Sequence, residues 1–234
     1  DPSQFIDWED DYKRQSHELR IASPREKRLR FVGGLFYQKQ EHGIFQQYQI
    51  QGLGGFLDGK DYLPIEVTGW PDTIWLTQQQ REDTEHAVFG ELYFDFTDKL
   101  TGTVGLRWFK TENSLKGFFG FNDNYSGNYG EALCFSDQQF RGAPCVNLDD
   151  EVDDDGTVPK VNLTYRFDDA RLIYATYSEG FRPGGINRNG TVEPYESDYL
   201  TNYEFGWKTT WAGGRLRFNG AVFQEDWDAF QFSI

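Results

Sequence analysis

Only two cysteines and three histidines occur among 234 residues. A structural zinc site needs four ligands from a compact Cys/His set, and His17, His42 and His86 show no H-x-x-x-H spacing. No G-x-S-x-G nucleophile elbow is present. Acidic residues are too frequent for any two of them to stand out as a glycosidase pair. We therefore expect no enzyme, no cofactor and no metal site. Basic residues are also scarce: 23 Lys and Arg against 38 Asp and Glu leave a net charge of −15. Phosphate binding needs clustered Lys and Arg, so nucleic acid is excluded as a partner. The mixed cluster Arg25 to Arg28 reads as a solvated turn. Nothing approaches the roughly 18 consecutive apolar residues of a membrane helix. The first residues, Asp1 to Gln4, lack the basic and apolar regions of a signal peptide.

What is abundant is aromatic. Phe, Tyr and Trp make up 18% of the chain although its mean hydropathy is −0.70. A membrane β-barrel reconciles the two, because alternate residues face lipid and water. The clearest strand runs from Leu100 to Trp108. It carries Leu100, Gly102, Val104, Leu106 and Trp108 on one face and Thr101, Thr103, Gly105 and Arg107 on the other. The preceding strand puts Val88, Leu92, Phe94 and Phe96 together, and Thr97-Asp98-Lys99 joins the two as a hairpin. Leu92, Phe94, Val104, Leu106 and Trp108 are the expected lipid-facing residues.

The unit recurs. A first pair, about 12–22 and 28–38, turns over 23–27. A third pair, 159–167 and 171–180, turns at Asp168-Asp169-Ala170. A fourth, 199–211 and 216–222, turns at Ala212-Gly213-Gly214. Long connections are expected over 39–81, 110–157 and 181–198. Short turns at one end and long loops at the other are the pattern of outer-membrane barrels. A soluble β-sandwich that binds carbohydrate through exposed Trp and Tyr is the alternative.

Within the longest connection, Cys134 and Cys145 fit an oxidising compartment and are expected to form a disulfide. The run Asp149 to Gly156 is like a calcium loop, but the twelfth position counted from Glu151 is Asn162 rather than Glu. A solvated acidic loop is the plainer reading, and loose divalent binding at the lipopolysaccharide surface is the functional alternative. The stretch Gly180 to Gly185, followed by Asn187, Arg188 and Asn189, puts donors at a loop mouth. Arg182, Asn187, Arg188 and Asn189 are the candidate ligand contacts, against the plainer view of a loop shaped by Gly and Pro.

Several stretches resemble the barrel domain of the TonB-dependent outer-membrane receptor family. They are Ser16 to Pro24 with Phe31 to Tyr37, Asp83 to Gly90 with Thr97 to Leu100, and Gly105 to Trp108. Tyr174 to Gly185, Thr201 to Lys208 and Ala221 to Phe223 complete the set. Their order covers nearly the whole chain. The resemblance implies an all-β, antiparallel transmembrane barrel of about 22 strands, of which about eight lie in residues 1–234. It also implies long extracellular loops and short periplasmic turns. Nothing in the chain is like the family's plug domain or TonB box, so we expect an internal barrel segment. Eight strands closing on themselves are the lesser possibility. The function implied is uptake of a scarce nutrient (an iron chelate, a cobalamin or a carbohydrate) across the bacterial outer membrane. The implied partners are outer-membrane lipid and lipopolysaccharide, TonB through the plug region, and a small-molecule or chelate ligand.

Overall fold

The computed structural model describes residues 3–54 and 64–231. Eight strands follow one another as β1 (Gln4–Ala22), β2 (Leu29–Ile50), β3 (Thr73–Asp95), β4 (Leu100–Gly120), β5 (Leu148–Asp168), β6 (Arg171–Arg182), β7 (Asp198–Trp211) and β8 (Leu216–Asp228). Each pairs antiparallel with the next in a single sheet of order β1-β2-β3-β4-β5-β6-β7-β8. β1 and β8 do not pair, so the sheet is open and the closed eight-stranded barrel is ruled out for this segment. Among the described residues there is no second sheet for a sandwich core to form against.

Period-two sequence becomes two unlike faces once the register is set. One row crosses six strands through Phe31, Leu92, Val104, Val161, Tyr177 and Tyr203. The adjacent row on the opposite face reads Arg30, Tyr93, Thr103, Asn162, Thr176 and Glu204. The apolar row is bare: Val104 is 51% exposed while Thr103 beside it is 7% exposed. Leu92, Phe94, Leu106 and Trp108 are exposed with Val104 on that side. The polar face is knit by its own partners. Arg30 holds Asp95 at 2.8 Å, Lys160 holds Glu91 at 2.9 Å, and Arg107 pairs with Glu85. An apolar exterior over a polar interior is the inverse of a soluble protein and the arrangement a lipid-embedded wall requires.

The apolar band ends at a definite row, where His17, Tyr37, His86, Lys110 and Asp155 lie side by side. Beyond it the same face carries charge: Lys39 bonds Glu82 at 2.9 Å and Lys116 bonds Asp149 at 2.6 Å. These exposed pairs contribute little stability singly. They mark where the apolar face gives way to a charged one.

The strands run further than the alternation suggests. A tilted strand needs about 9–11 residues to cross a bilayer, yet β2, β3, β4 and β5 have 22, 23, 21 and 21. The connections expected over 39–81, 110–157 and 181–198 therefore shrink to 51–72, 121–147 and 183–197. Asp149 to Gly156 is not a loop at all but the first half of β5, paired with β4 from Leu148 to Tyr165. Above the band both faces meet polar surroundings, so the apolar/polar contrast that reveals a strand disappears while the ladder continues.

β5 loses its second neighbour part-way. Pairing with β6 begins at the turn and stops at Lys160–Ser178. The next residue, Pro159, has no N–H to give to a ladder.

The two faces make a mutational test. Val104→Arg places a charge in the apolar band and is expected to cost roughly 2–4 kcal/mol of insertion stability, against little for Thr103→Arg on the polar side. Refolding of the intact receptor into vesicles measures it; equal penalties would overturn the facing assignment.

Candidate ligand-binding mouth

The loop 183–197 does not project outward. It turns back over the polar face of β3–β5. Ile186 is buried with Leu115 and Leu148, and Val152 packs at the side. Its N–H donates to Asn113 Oδ1 at 2.9 Å, and its carbonyl accepts from Arg81 Nη2 at 2.8 Å. The Arg188 carbonyl accepts from Gln79 Nε2 at 2.8 Å. Burying one Ile side chain contributes about 1.5–3 kcal/mol, which is enough to seat a loop this short. The seat is imperfect, because Gln79 Oε1 and Arg81 Nε are buried without partners among the described residues.

Sequence explains how the loop folds so tightly. Gly185 and Tyr195 exchange two backbone bonds of 2.9 Å. A Cβ on Gly184 would collide with the Tyr195 carbonyl, and one on Gly185 with the Tyr195 ring. The Pro-Gly-Gly stretch is thus a close-approach requirement as much as a flexible hinge. Ser197 ties the return arm by accepting from Gly184 N–H at 3.0 Å and donating to Asp154.

The strand ends beneath it lean on the wall. Phe181 stacks on the fully buried Phe109 with centroids 3.4 Å apart. Any Cβ at Gly156 would lie 2.9 Å from Phe109 and 3.0 Å from the Tyr199 hydroxyl, so glycine makes room for both. Between the loop and the wall is a cavity of about 440 Å³ lined in part by Asp83, Glu85, Asp154, Tyr195, Glu196 and Tyr199. That volume falls in the range of small-molecule sites. Tyr199, above the apolar band, has its hydroxyl pushed above the usual tyrosine value by burial and by the charges of Asp154 and Asp155.

The four expected contacts divide. Arg182 is committed to structure: Nε donates to buried Asp198 at 2.9 Å, Nη2 donates to the Gln231 carbonyl at 3.0 Å, and Trp227 and Phe230 flank it. Burial pushes the Asp198 carboxyl up, but Arg182, the Gln231 N–H and Trp227 together hold it below the usual carboxylate range. Asn187 donates to the Glu193 carbonyl, and Asn189 Oδ1 accepts from the Thr191 N–H at 3.0 Å, shaping the loop from inside. Only Arg188 keeps its guanidinium unpaired among the described residues. Asn113, Asp154, Ile186 and Ser197, which hold the mouth together, carried no motif. The one available signal was the Gly-Gly pair, which demands a close neighbour.

Cys134 and Cys145 are joined, with Cα atoms 5.9 Å apart, inside the loop 121–147. Cys145 belongs to an apolar cluster with Val67, Leu76, Phe118 and Ala143, and Trp70 Nε1 donates to Gly142 O at 2.9 Å. The disulfide therefore steadies a cap over the far ends of β3 and β4.

A profile described as "TonB dependent receptor-like, beta-barrel" matches residues 4–234. The chain belongs to this family. Receptors of the family are outer-membrane transporters rather than enzymes. Solved structures agree on the fold. The ferric yersiniabactin uptake receptor of Yersinia pestis superposes with a TM-score of 0.70 at 16% identity, over 95% of this chain and 30% of that one. The ferric citrate transporter gives 0.62 at 15% identity, over 97% and 29%. The siderophore receptor of Acinetobacter baumannii gives 0.60 at 16% identity, over 92% and 31%. The chain spans about three tenths of the length of these receptors.

Two outcomes are expected at this mouth. Arg182→Ala should expose the loop to limited proteolysis by stranding Asp198, at a cost on the order of 2 kcal/mol, whereas Arg188→Ala should not. Equal proteolysis would remove the structural role given to Arg182. Thiol labelling of the unreduced, denatured protein should find no free thiol, and Cys134→Ser should destabilise the cap by about 2–3 kcal/mol.

Proposed function

We propose that residues 1–234 form wall and mouth of an outer-membrane receptor that captures a scarce nutrient at its extracellular end. The plug region and its contact with TonB would then lie outside this segment. The observation that carries this is the loop 183–197 folded inward over a polar face, with a cavity between it and the wall; the guanidinium of Arg188 on the same loop is unpaired among the described residues. A wall loop seated on the lumen side stands where a solute entering the barrel must pass. Two of the solved relatives take up ferric yersiniabactin and ferric citrate, and a third is a siderophore receptor, which favours an iron chelate over a cobalamin or a carbohydrate as cargo. The apolar band from Leu19 to Phe218 would meet lipid, and the charged ladder above it would stand at the height of lipopolysaccharide sugars.

A soluble carbohydrate-binding sandwich has little support, since a single open sheet offers no second layer to bury its apolar face.

Uptake decides the reading. Cells expressing the complete receptor should accumulate iron-55 from ferric citrate or a ferric catecholate, and loss of TonB should abolish the accumulation. Arg188→Ala should lower apparent affinity several-fold with the receptor still present in the outer membrane. Accumulation that persists without TonB, or none with any iron chelate while cyanocobalamin is taken up, would overturn the iron-receptor reading.

A further inference from the structure

Among the described residues, the upper half of β5 has no backbone ladder partner on its β6 side. From Leu148 to Pro159 it pairs with β4 alone, and β6 has already left it at Ser178. No backbone bond from the loop 183–197 reaches this edge among the described residues; the loop meets the half-strand through side chains, Ile186 against Leu148 and Val152 and the Ser197 hydroxyl on Asp154. Such an edge presents a row of free N–H and C=O groups and templates another strand.

Its charge says which strand. Asp149, Asp150, Glu151, Asp153, Asp154 and Asp155 occupy both faces of this half-strand. Lys116 and Lys110 reach Asp149 and Asp153 at 2.6 and 3.6 Å. Asp150, Glu151, Asp154 and Asp155 have no cationic partner among the described residues. An uncharged or acidic strand laid here would bring no charge to balance these carboxylates, so the edge repels most of what could pair with it. A segment with Lys or Arg at alternate positions would satisfy them while its backbone completed the ladder. Specificity then comes from the penalty on the wrong partner as much as from attraction to the right one. Tyr195 and Tyr199 line the adjoining cavity.

We propose that the β5 edge from Leu148 to Pro159 docks an extended cationic peptide segment, which adds to the sheet as a further strand. The proposal concerns this edge and does not depend on which nutrient the barrel admits.

The test uses the complete receptor in detergent micelles and a fluorescent heptapeptide alternating lysine with threonine and valine, read by anisotropy. It should bind, whereas the same peptide with glutamate for lysine should not. N-methylation of alternate amides keeps every charge and removes one edge of hydrogen bonds; it should weaken binding about tenfold or more. The variant Asp150→Asn/Glu151→Gln/Asp154→Asn/Asp155→Asn should weaken binding similarly. The charge-matched variant Asp7→Asn/Glu9→Gln/Asp11→Asn/Asp123→Asn, away from the edge, should bind as the parent does. Heat-modifiable migration confirms that each variant is folded. Equal binding of the N-methylated peptide would mean attraction by charge alone. Equal loss in both variants, or no binding by the parent, would likewise overturn the proposal.

Discussion

Inside hydrocarbon every backbone N–H and C=O must be paired within the protein, and the antiparallel ladder that links β1 to β8 in one sheet answers that demand. Everything else hangs from it. Register fixes facing, and facing puts Phe31, Leu92, Val104 and Val161 on one side and Arg30, Thr103 and Asn162 on the other. A slip of one residue on any strand would exchange those sets. The interior ion pairs, Arg30 with Asp95 and Arg107 with Glu85, bind cross-strand neighbours whose side chains meet only in the native register.

The demand relaxes where the wall leaves the membrane. Above the row of His17, Tyr37, His86 and Lys110, water can satisfy an unpaired group. β5 parts from β6 even earlier, at Pro159 opposite Leu106, where proline brings no N–H for the ladder to strand. The parting frees the ends of β6 and β7 to lean inward, which brings Phe181 onto Phe109 and Tyr199 beside Gly156. The mouth is thus a consequence of β5 and β6 parting company.

The same boundary separates what could be read in the sequence from what could not. Within the band, alternation of Leu100 to Trp108 against Thr101 to Arg107 was enough to assign strand, turn and exposed face. Past it, Gln78, Gln79 and Gln80, or Asp153, Asp154 and Asp155, look alike on both sides, so strands of the upper wall passed for loops. Arg182 was legible as a donor but not as the partner of Asp198, because their meeting depends on register between β6 and β7. Cys134 and Cys145 were legible because one pair of cysteines leaves one pairing. Ile186 carried no signal, since a lone apolar residue in a polar loop says nothing about which wall it will find.

That last residue shows how the loop can be both held and releasable. Its anchor is one buried side chain and a few hydrogen bonds, to Asn113, Arg81 and Asp154. Each such bond contributes about 0.5–1.5 kcal/mol net, and somewhat more where a charge takes part. The unsatisfied Gln79 Oε1 and Arg81 Nε act against them, at about 1–3 kcal/mol each. The sum leaves the loop seated by a margin small compared with the sheet beneath it. The base of the loop is different: Arg182 and Asp198 close it with a partly desolvated ion pair, and Gln231 adds bonds to the Glu196 and Pro183 carbonyls. A firm base with a weakly held tip confines any displacement to residues 184–196, the part that roofs the cavity.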